Sequence, residues 1–346
     1  MNDKILILGW GFPPNIDGGL DIHVKNLFEG LEDKGFDVKL ALPEENAPDR
    51  ENVISLDTGQ GDMVQRARNM SAEVVEIAQD FDIIHTHDWF GSESGYKAKK
   101  YSGIKWISTM HSLSSSRNRN ADERLERLEK ISIEESDKLI SVSEKLSNEI
   151  NSRYSKRPEV IHNGFSVPEK NGENIKDRLD IETNMILFIG RHAEQKGLKH
   201  LIYGFKKFLE NNNGVLVLGG EGYMTEALKE FSEILGIEEK VVFTGFIDEK
   251  ELGDFYSSSD VFVSPSINEP FGLTITEAIS CGTPVVATEN GVEEIIPDDA
   301  IVSIEPDSDS IAEGIEKGLE KELSKLKMRN WSDMVDETIE VYKKIN

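Results

Sequence analysis

Residues 4–42 read KILILGWGFPPNIDGGLDIHVKNLFEGLEDKGFDVKLAL, and their pattern decides the fold. Lys4–Gly9 is a short apolar run ending in glycine, as expected of a strand buried on both faces. Pro13, Pro14, Gly18 and Gly19 then mark a loop. Leu20, Val24, Leu27, Phe28 and Leu31 recur at helical spacing, and Gly35 stops the helix. Asp37–Leu42 is a second apolar run. A strand, a helix and a strand in this order connect by a right-handed crossover, which requires a parallel sheet.

The alternation continues outward from this unit. A helix is expected near Met63–Gln79, strands at Ile83–Thr86 and Trp106–Met110, a helix near Ala121–Glu135, and a strand at Leu139–Val142. Residues 167–183 are polar, with Pro168, Gly172 and many charges, and read as an interdomain linker. Strands then return at Met185–Ile189, Val215–Leu218, Val241–Thr244, Val261–Ser264 and Val285–Ala287, with helices at Leu198–Leu209 and Met224–Leu235. The expected organisation is therefore a domain over 1–166, the linker, a second domain over 184–328, and a closing amphipathic helix within 329–346. The fold class is α/β: two Rossmann-like, doubly wound domains facing a cleft.

The bulk composition narrows the function. A chain of 346 residues exceeds the size at which one core stops growing, about 250–300 residues. The net charge of -26 repels nucleic-acid phosphates and argues against that class of partner. No run of about 18 apolar residues occurs, so no integral membrane segment is expected. The N-terminal apolar stretch lacks a basic flank and reads as a strand, not a signal peptide. Cys281 is the only cysteine, which fits a reducing, cytoplasmic setting. The acidity fits an ordinary acidic soluble enzyme or one adapted to high salt, whose stability and activity would rise toward molar salt.

Four segments carry candidate chemistry. In NEPFGLTITEA, residues 268–278, Pro270 and Gly272 break regular structure and a helix begins near Gly272. The N-terminus of that helix suits phosphate. Glu269 and Glu277 flank it, and each carboxylate suits a pair of sugar or ribose hydroxyls. A capped surface helix with two solvated glutamates would have the same letters. GRHAEQKG, residues 190–197, places Arg191 and Lys196 at a strand end, where cations serve a diphosphate; no GxxxxGK[ST] motif occurs. Gly18 and Gly19 precede the first helix and form a third anion site or a simple turn. HTHDW, residues 85–89, brings His85, His87 and Asp88 to a strand end, and His111 ends the next strand. His85, His87, Asp88 and His111 could suggest a metal set. None supplies a third ligand at metal-motif spacing, so no metal is expected. One histidine packs in the wall, and His87 or Asp88 faces the cleft. The Ser-, Arg- and Asn-rich stretch 112–120 reads as a mobile loop or a cover over an acceptor.

Taken together these motifs resemble the large retaining glycosyltransferase family that includes glycogen and sucrose synthases and many mannosyl- and glucosyltransferases, of GT-B fold. The resemblance runs from PPxxxGGLxxHVxxL through HTHDW, TMH and IHNG (161–164) to GRxxxxKG and EPFGLTxxEAxxCGTPVVAT. It implies an acceptor-side first domain and a second domain that binds the nucleotide sugar. It implies that Glu269 binds donor-sugar hydroxyls, that Glu277 binds the ribose, and that the backbone of Gly272, Leu273 and Thr274 holds phosphate. Arg191 and Lys196 would neutralise the diphosphate, and Gly19, with Gly18, would approach it from the first domain. His111 would contact the reaction centre. HDW is most similar to glycogen and starch synthases and would place Asp88 near the sugar. Bacterial glycogen synthases carry lysine two positions before the glycine pair, where this chain has Ile16.

The implied reaction is metal-independent, retaining hexosyl transfer from a nucleotide diphosphate sugar, UDP- or ADP-glucose first, to a carbohydrate acceptor. Alternatives are a mannosyl- or glucosyltransferase making a glycolipid, glycoprotein or compatible solute, an epimerase of the same fold, and a non-catalytic nucleotide-sugar-binding protein. A nicotinamide oxidoreductase is disfavoured because GxGxxG is missing.

Overall fold

The computed structural model describes residues 3–16, 18–117, 122–322 and 326–345, with backbone alone for 116 and 117. The chain divides into two compact units, one formed by Met1–Gly164 with Arg329–Asn346 and the other by Phe165–Met328.

The first unit runs β1 (Lys4–Leu8), α1 (Gly19–Asp33), β2 (Asp37–Pro43), β3 (Val53–Leu56), α2 (Met63–Ile77), β4 (Ile83–His87), α3 (Ser92–Ser102), β5 (Lys105–Met110), α4 (Ser114–Arg117), α5 (Glu123–Glu135), β6 (Lys138–Ser141), α6 (Glu144–Tyr154) and β7 (Glu159–Val160). Its sheet has the order β3-β2-β1-β4-β5-β6-β7, and every pair is parallel. Apolar residues alternate between the two faces as the period of two demands. Ile5, Ile7, Leu40, Ile83 and Ile107 lie in one buried cluster with Val24, Leu27, Phe28 and Leu31 of α1. Leu6, Leu8, Ala41, Ile84 and Trp106 lie in the other with Val64, Met70 and Val74 of α2.

The second unit runs α7 (Ile175–Arg178), β8 (Asn184–Ile189), α8 (Leu198–Phe208), β9 (Gly214–Gly219), α9 (Thr225–Ile234), β10 (Val241–Gly245), α10 (Glu249–Ser258), β11 (Val261–Ser264), α11 (Leu273–Cys281), β12 (Val285–Ala287), β13 (Ile301–Ser303) and α12 (Ser308–Leu319). Its sheet, also parallel throughout, has the order β10-β9-β8-β11-β12-β13. Helix α13 (Trp331–Ile345) closes the chain on the first unit, where Met334, Val335, Ile339 and Tyr342 join the α1 face of the core. Gly30 of α1 makes that approach possible, because a Cβ there would lie 2.6 Å from Val335 Cγ2.

The segment 167–183, expected as a linker, is fastened to the second unit instead. The Asp254 carboxylate accepts from the amides of Asn171 (3.1 Å) and Gly172 (3.0 Å), and Ile175 is fully buried. The helix expected from Ala121 is described from Glu123, with Asp122 accepting from the Arg124 amide as its cap. Residues 118–121 of the loop read as a cover lie outside the described residues. Among the described residues no helix is long and apolar enough to cross a membrane.

Candidate active site

In each sheet the strand order reverses at one point, between β1 and β4 in the first unit and between β8 and β11 in the second. Open α/β sheets bind ligands outside the carboxyl ends of strands at such points. Most residues singled out from the sequence follow one of these four strands, and His111 follows the neighbouring β5.

In the second unit the loops after β8 and β11 lie against each other. The Ile267 amide donates to Gln195 O (2.8 Å). Lys196 Nζ lies 2.7 Å from Glu269 Oε2, and Ser266 Oγ donates to the same oxygen (3.1 Å). Lys196, expected as a phosphate cation, is therefore paired with the carboxylate expected to meet the sugar. Arg191 is exposed. Gly272 has φ +109°, the left-handed region that favours glycine, and no side chain caps the helix α11 that follows. The first amides of α11, at Leu273 and Thr274, belong to the turn that has no acceptor within its own helix. Glu277 sits one turn further on, buried, its Oε2 accepting from Tyr256 Oη (2.8 Å). Burial pushes the Glu277 carboxyl up from its ordinary 4.5 to about 7, against the opposing pull of the Tyr256 hydrogen bond.

In the first unit His85 is packed in the wall, as one histidine was expected to be. Its ring bonds Tyr342 Oη (2.7 Å) and Thr109 Oγ1 (2.8 Å), tying α13 to the sheet. Burial holds its pKa down to about 3. Neither His87 nor Asp88 faces outward; both are buried. Asp88 has φ +48°, and its Oδ1 accepts from the amides of His111 (2.6 Å) and Ser112 (3.4 Å). The carboxylate thus fixes the loop that carries His111. His111, half-buried, has Nε2 3.2 Å from His87 Nδ1.

Three residues were given no role in the sequence reading. His23 on α1 is buried, with Nδ1 2.7 Å from Asn163 Oδ1, and burial lowers its pKa to about 4. Asn163 belongs to IHNG, whose Gly164 lets the Trp331 backbone pass where a Cβ would lie 2.4 Å from its nitrogen. Tyr256 was likewise unmarked. The signal for His23 was its place four residues after Gly19 on the helix that opens the site. One ring nitrogen each of His23, His87 and His111 lies within 4.8 Å of the others, so the third histidine of the group comes from α1 and not from HTHDW.

Gly18 precedes α1 with φ 165°, an extended backbone any residue adopts, and a Cβ there would meet no atom within 4 Å. Packing does not demand glycine at this position. Gly18→Ala is therefore expected to leave stability unchanged or raise it by up to about 1 kcal/mol, while lowering activity by an order of magnitude or more. A variant with wild-type kinetics would remove Gly18 from the site.

Two parallel, doubly wound units with their candidate residues at the strand switch points define the GT-B class. The family profile of glycosyl transferases group 1 matches residues 161–333, and that of glycosyltransferase family 4 matches 17–167. The chain belongs to the group 1 glycosyltransferases. It is 31% identical over 381 aligned positions to an uncharacterised glycosyltransferase of Methanocaldococcus jannaschii, covering 98% of each chain. It is 24% identical to the alpha-maltose-1-phosphate synthase of Mycolicibacterium smegmatis, over 99% of this chain and 100% of the relative. In structure it superposes on sucrose-phosphate synthase from Thermosynechococcus elongatus with a TM-score of 0.81 and 20% identity, over 99% of both chains.

Proposed function

We propose that the chain transfers a glucosyl group, with retention and without a metal, from UDP- or ADP-glucose to a carbohydrate acceptor in the cytoplasm. The observation that carries this reading is the α11 N-terminus flanked by Glu269 and Glu277, with Lys196 2.7 Å from Glu269. Diphosphate would rest on the amides of Leu273 and Thr274, which Gly272 leaves accessible. Arg191 and Lys196 would offset the charge that develops as the nucleotide departs. Glu269 would hold the sugar hydroxyls, and the Lys196 contact keeps that carboxylate aimed. His111 would act at the sugar, held through its amide by Asp88, while Gly18 and Gly19 would admit phosphate. The departing phosphate oxygen takes the acceptor proton, so no carboxylate nucleophile is required and the paired-carboxylate hydrolase scheme does not apply.

The HDW triplet favours an α-glucan acceptor. A second reading, a phosphorylated-sugar acceptor, is favoured by the names of two relatives, which specify maltose 1-phosphate and sucrose phosphate as products. Thermal-shift titration with UDP, ADP, GDP and their glucose and mannose conjugates, followed by product analysis with glucans, small sugars and sugar phosphates, decides between them. Absence of stabilisation by every nucleotide sugar would sink the proposal. Stabilisation without turnover on any acceptor would point to a non-catalytic binder.

The same titrations have a pH signature. A ribose hydroxyl pair needs the ionised Glu277, whose apo pKa is about 7. UDP-glucose binding is expected to be about ten-fold weaker at pH 6 than at pH 8, with the dependence abolished in Glu277→Gln. The stability linkage has the opposite sense. A carboxyl whose folded pKa is raised contributes stability that is present below 4.5 and lost as pH rises through about 7. Affinity that does not vary between pH 6 and 8 would remove the ribose role.

A further inference from the structure

Among the described residues of the first unit, two buried ring nitrogens, His23 Nε2 and His87 Nε2, have no hydrogen-bond partner. A buried polar atom left unpaired costs about 1–3 kcal/mol and calls for a physical explanation, an ion among them. Of the two, His23 Nε2 is the atom a cation would engage, whereas His87 would ligate through Nδ1 and keep its proton on Nε2. His23, His87 and His111 each bring a ring nitrogen within 4.8 Å of the other two. The rings of His23 and His111 meet edge to face with centroids 4.6 Å apart, and those of His23 and His87 at 5.3 Å. The 3.2 Å between His87 Nδ1 and His111 Nε2 matches the edge of a tetrahedron with metal–nitrogen bonds of about 2.0–2.1 Å, which is about 3.3 Å.

The surroundings have the form of a ligand set. His23 Nδ1–H donates to Asn163 Oδ1 at 2.7 Å, which fixes the tautomer and leaves the Nε2 lone pair for a cation. A ring N–H held by a carbonyl oxygen is the usual outer partner of a metal-bound histidine. Asp88, bonded to the amides of His111 and Ser112, holds the third ligand's backbone. The three donors come from different elements: α1, β4 and the loop after β5. The set is all imidazole with no carboxylate. That chemistry selects Zn2+ and its neighbours Co2+, Ni2+ and Cu2+ over Mg2+ or Ca2+, which require oxygen ligands.

We propose that His23, His87 and His111 form a binding site for a single Zn2+-class cation, and that its occupation inhibits sugar transfer by engaging the side chain of His111. The inhibitory half rests on the role given to His111 above; the binding half does not. Three histidines leave the fourth tetrahedral position to water. The proton shared in the His87–His111 contact stays on one of those rings by a change of tautomer, so occupation needs no co-reactant. Metal-independent transfer and an inhibitory metal site are compatible, because the cation withdraws a residue the reaction uses.

The test uses tag-free, chelator-treated full-length protein. Titration with Co2+ is expected to give visible d–d absorption of nitrogen-ligated, tetrahedral form, saturating at one ion per chain and displaced by Zn2+. Mg2+ is expected to give nothing. Asn163→Ala, outside the ligand set, is expected to weaken Co2+ binding by about 10–100-fold, and His23→Gln by at least as much. No uptake by wild-type protein at about 100 μM Zn2+ or Co2+ overturns the site whether or not the variants fold, as does binding that both variants leave unchanged. Transfer assays give the second readout. Zn2+ at about ten times its Kd is expected to lower turnover about ten-fold, with chelator restoring it. A filled site with undiminished turnover overturns the inhibitory half alone. Loss of every transfer activity with the Co2+ site intact would count against the glycosyltransfer reading and not against the site.

Discussion

Lys196→Ala is expected to lower kcat/KM for sugar transfer by about 10³-fold while the protein still folds. Two effects act together. The variant loses the cation proposed to meet the departing diphosphate, and such a preorganised charge is worth about 10²–10³ in rate. It also strips the nearly buried Glu269 carboxylate of its ion pair, leaving Ser266 Oγ as its side-chain hydrogen-bond partner among the described residues. A carboxylate left without its ion pair turns toward water, and the grip on sugar hydroxyls proposed for Glu269 is then lost. The stability cost is about 1–3 kcal/mol, set by the nearly buried carboxylate left behind. The pairing makes a further demand. Lys196→Ala and Glu269→Gln combined should cost clearly less than the sum of the two single losses, since each disables the same contact. Steady-state kinetics of the four proteins, with circular-dichroism melts as the folding control, measure this. Near-normal kinetics for Lys196→Ala, or strict additivity, would overturn the shared role.

The catalytic-looking motifs were legible because each needs particular residues at one strand end, and strand ends were readable from apolar runs. What the sequence hid were partners far apart in the chain. Lys196 and Glu269 are 73 residues apart, and His23 and Asn163 are 140 apart. Nothing in either local pattern announces such a pair; only the strand order brings the loops together. Helix α3 was missed for a different reason. SESGYKAKKYS buries Ser92, Ser94, Gly95 and Ala98, so its core face consists of small residues and carries no apolar period. Packing accounts for it: a Cβ on Gly95 would lie 2.2 Å from the Trp106 ring, and Ser92 Oγ pairs with Ser132 Oγ at 2.7 Å. Asp88 was assigned to the sugar from its motif, whereas its carboxylate is taken up by two backbone amides. A motif names a residue type at a place and leaves its direction to the backbone, here a strained φ of +48°.

The same distinction separates two glycines and gives the largest expected loss of stability. Gly18 has room for a side chain, and the role proposed for it lies in what it admits. Gly197 has neither room nor freedom. Its φ is +66°, and a Cβ would sit 2.1 Å from Pro265 O, a backbone atom that cannot swing aside. It joins the turn Glu194–Lys196 to α8 at the point where the loop after β8 rests on the loop after β11. Gly197→Ala must therefore adopt a left-handed backbone and push two loops apart, at about 3 kcal/mol or more. That corresponds to a fall of roughly 10 °C in melting temperature for a unit of this size. The displacement acts on the Lys196–Glu269 pair, since the Gln195–Ile267 hydrogen bond lies within the same contact. Transfer should accordingly fall even at temperatures where the variant remains folded, which a purely global destabilisation would not produce. Melting curves and kinetics at low temperature, run beside Gly18→Ala, separate the two. A Gly197→Ala protein with wild-type melting would show that the loops have slack and that the switch-point geometry is not what orients Lys196.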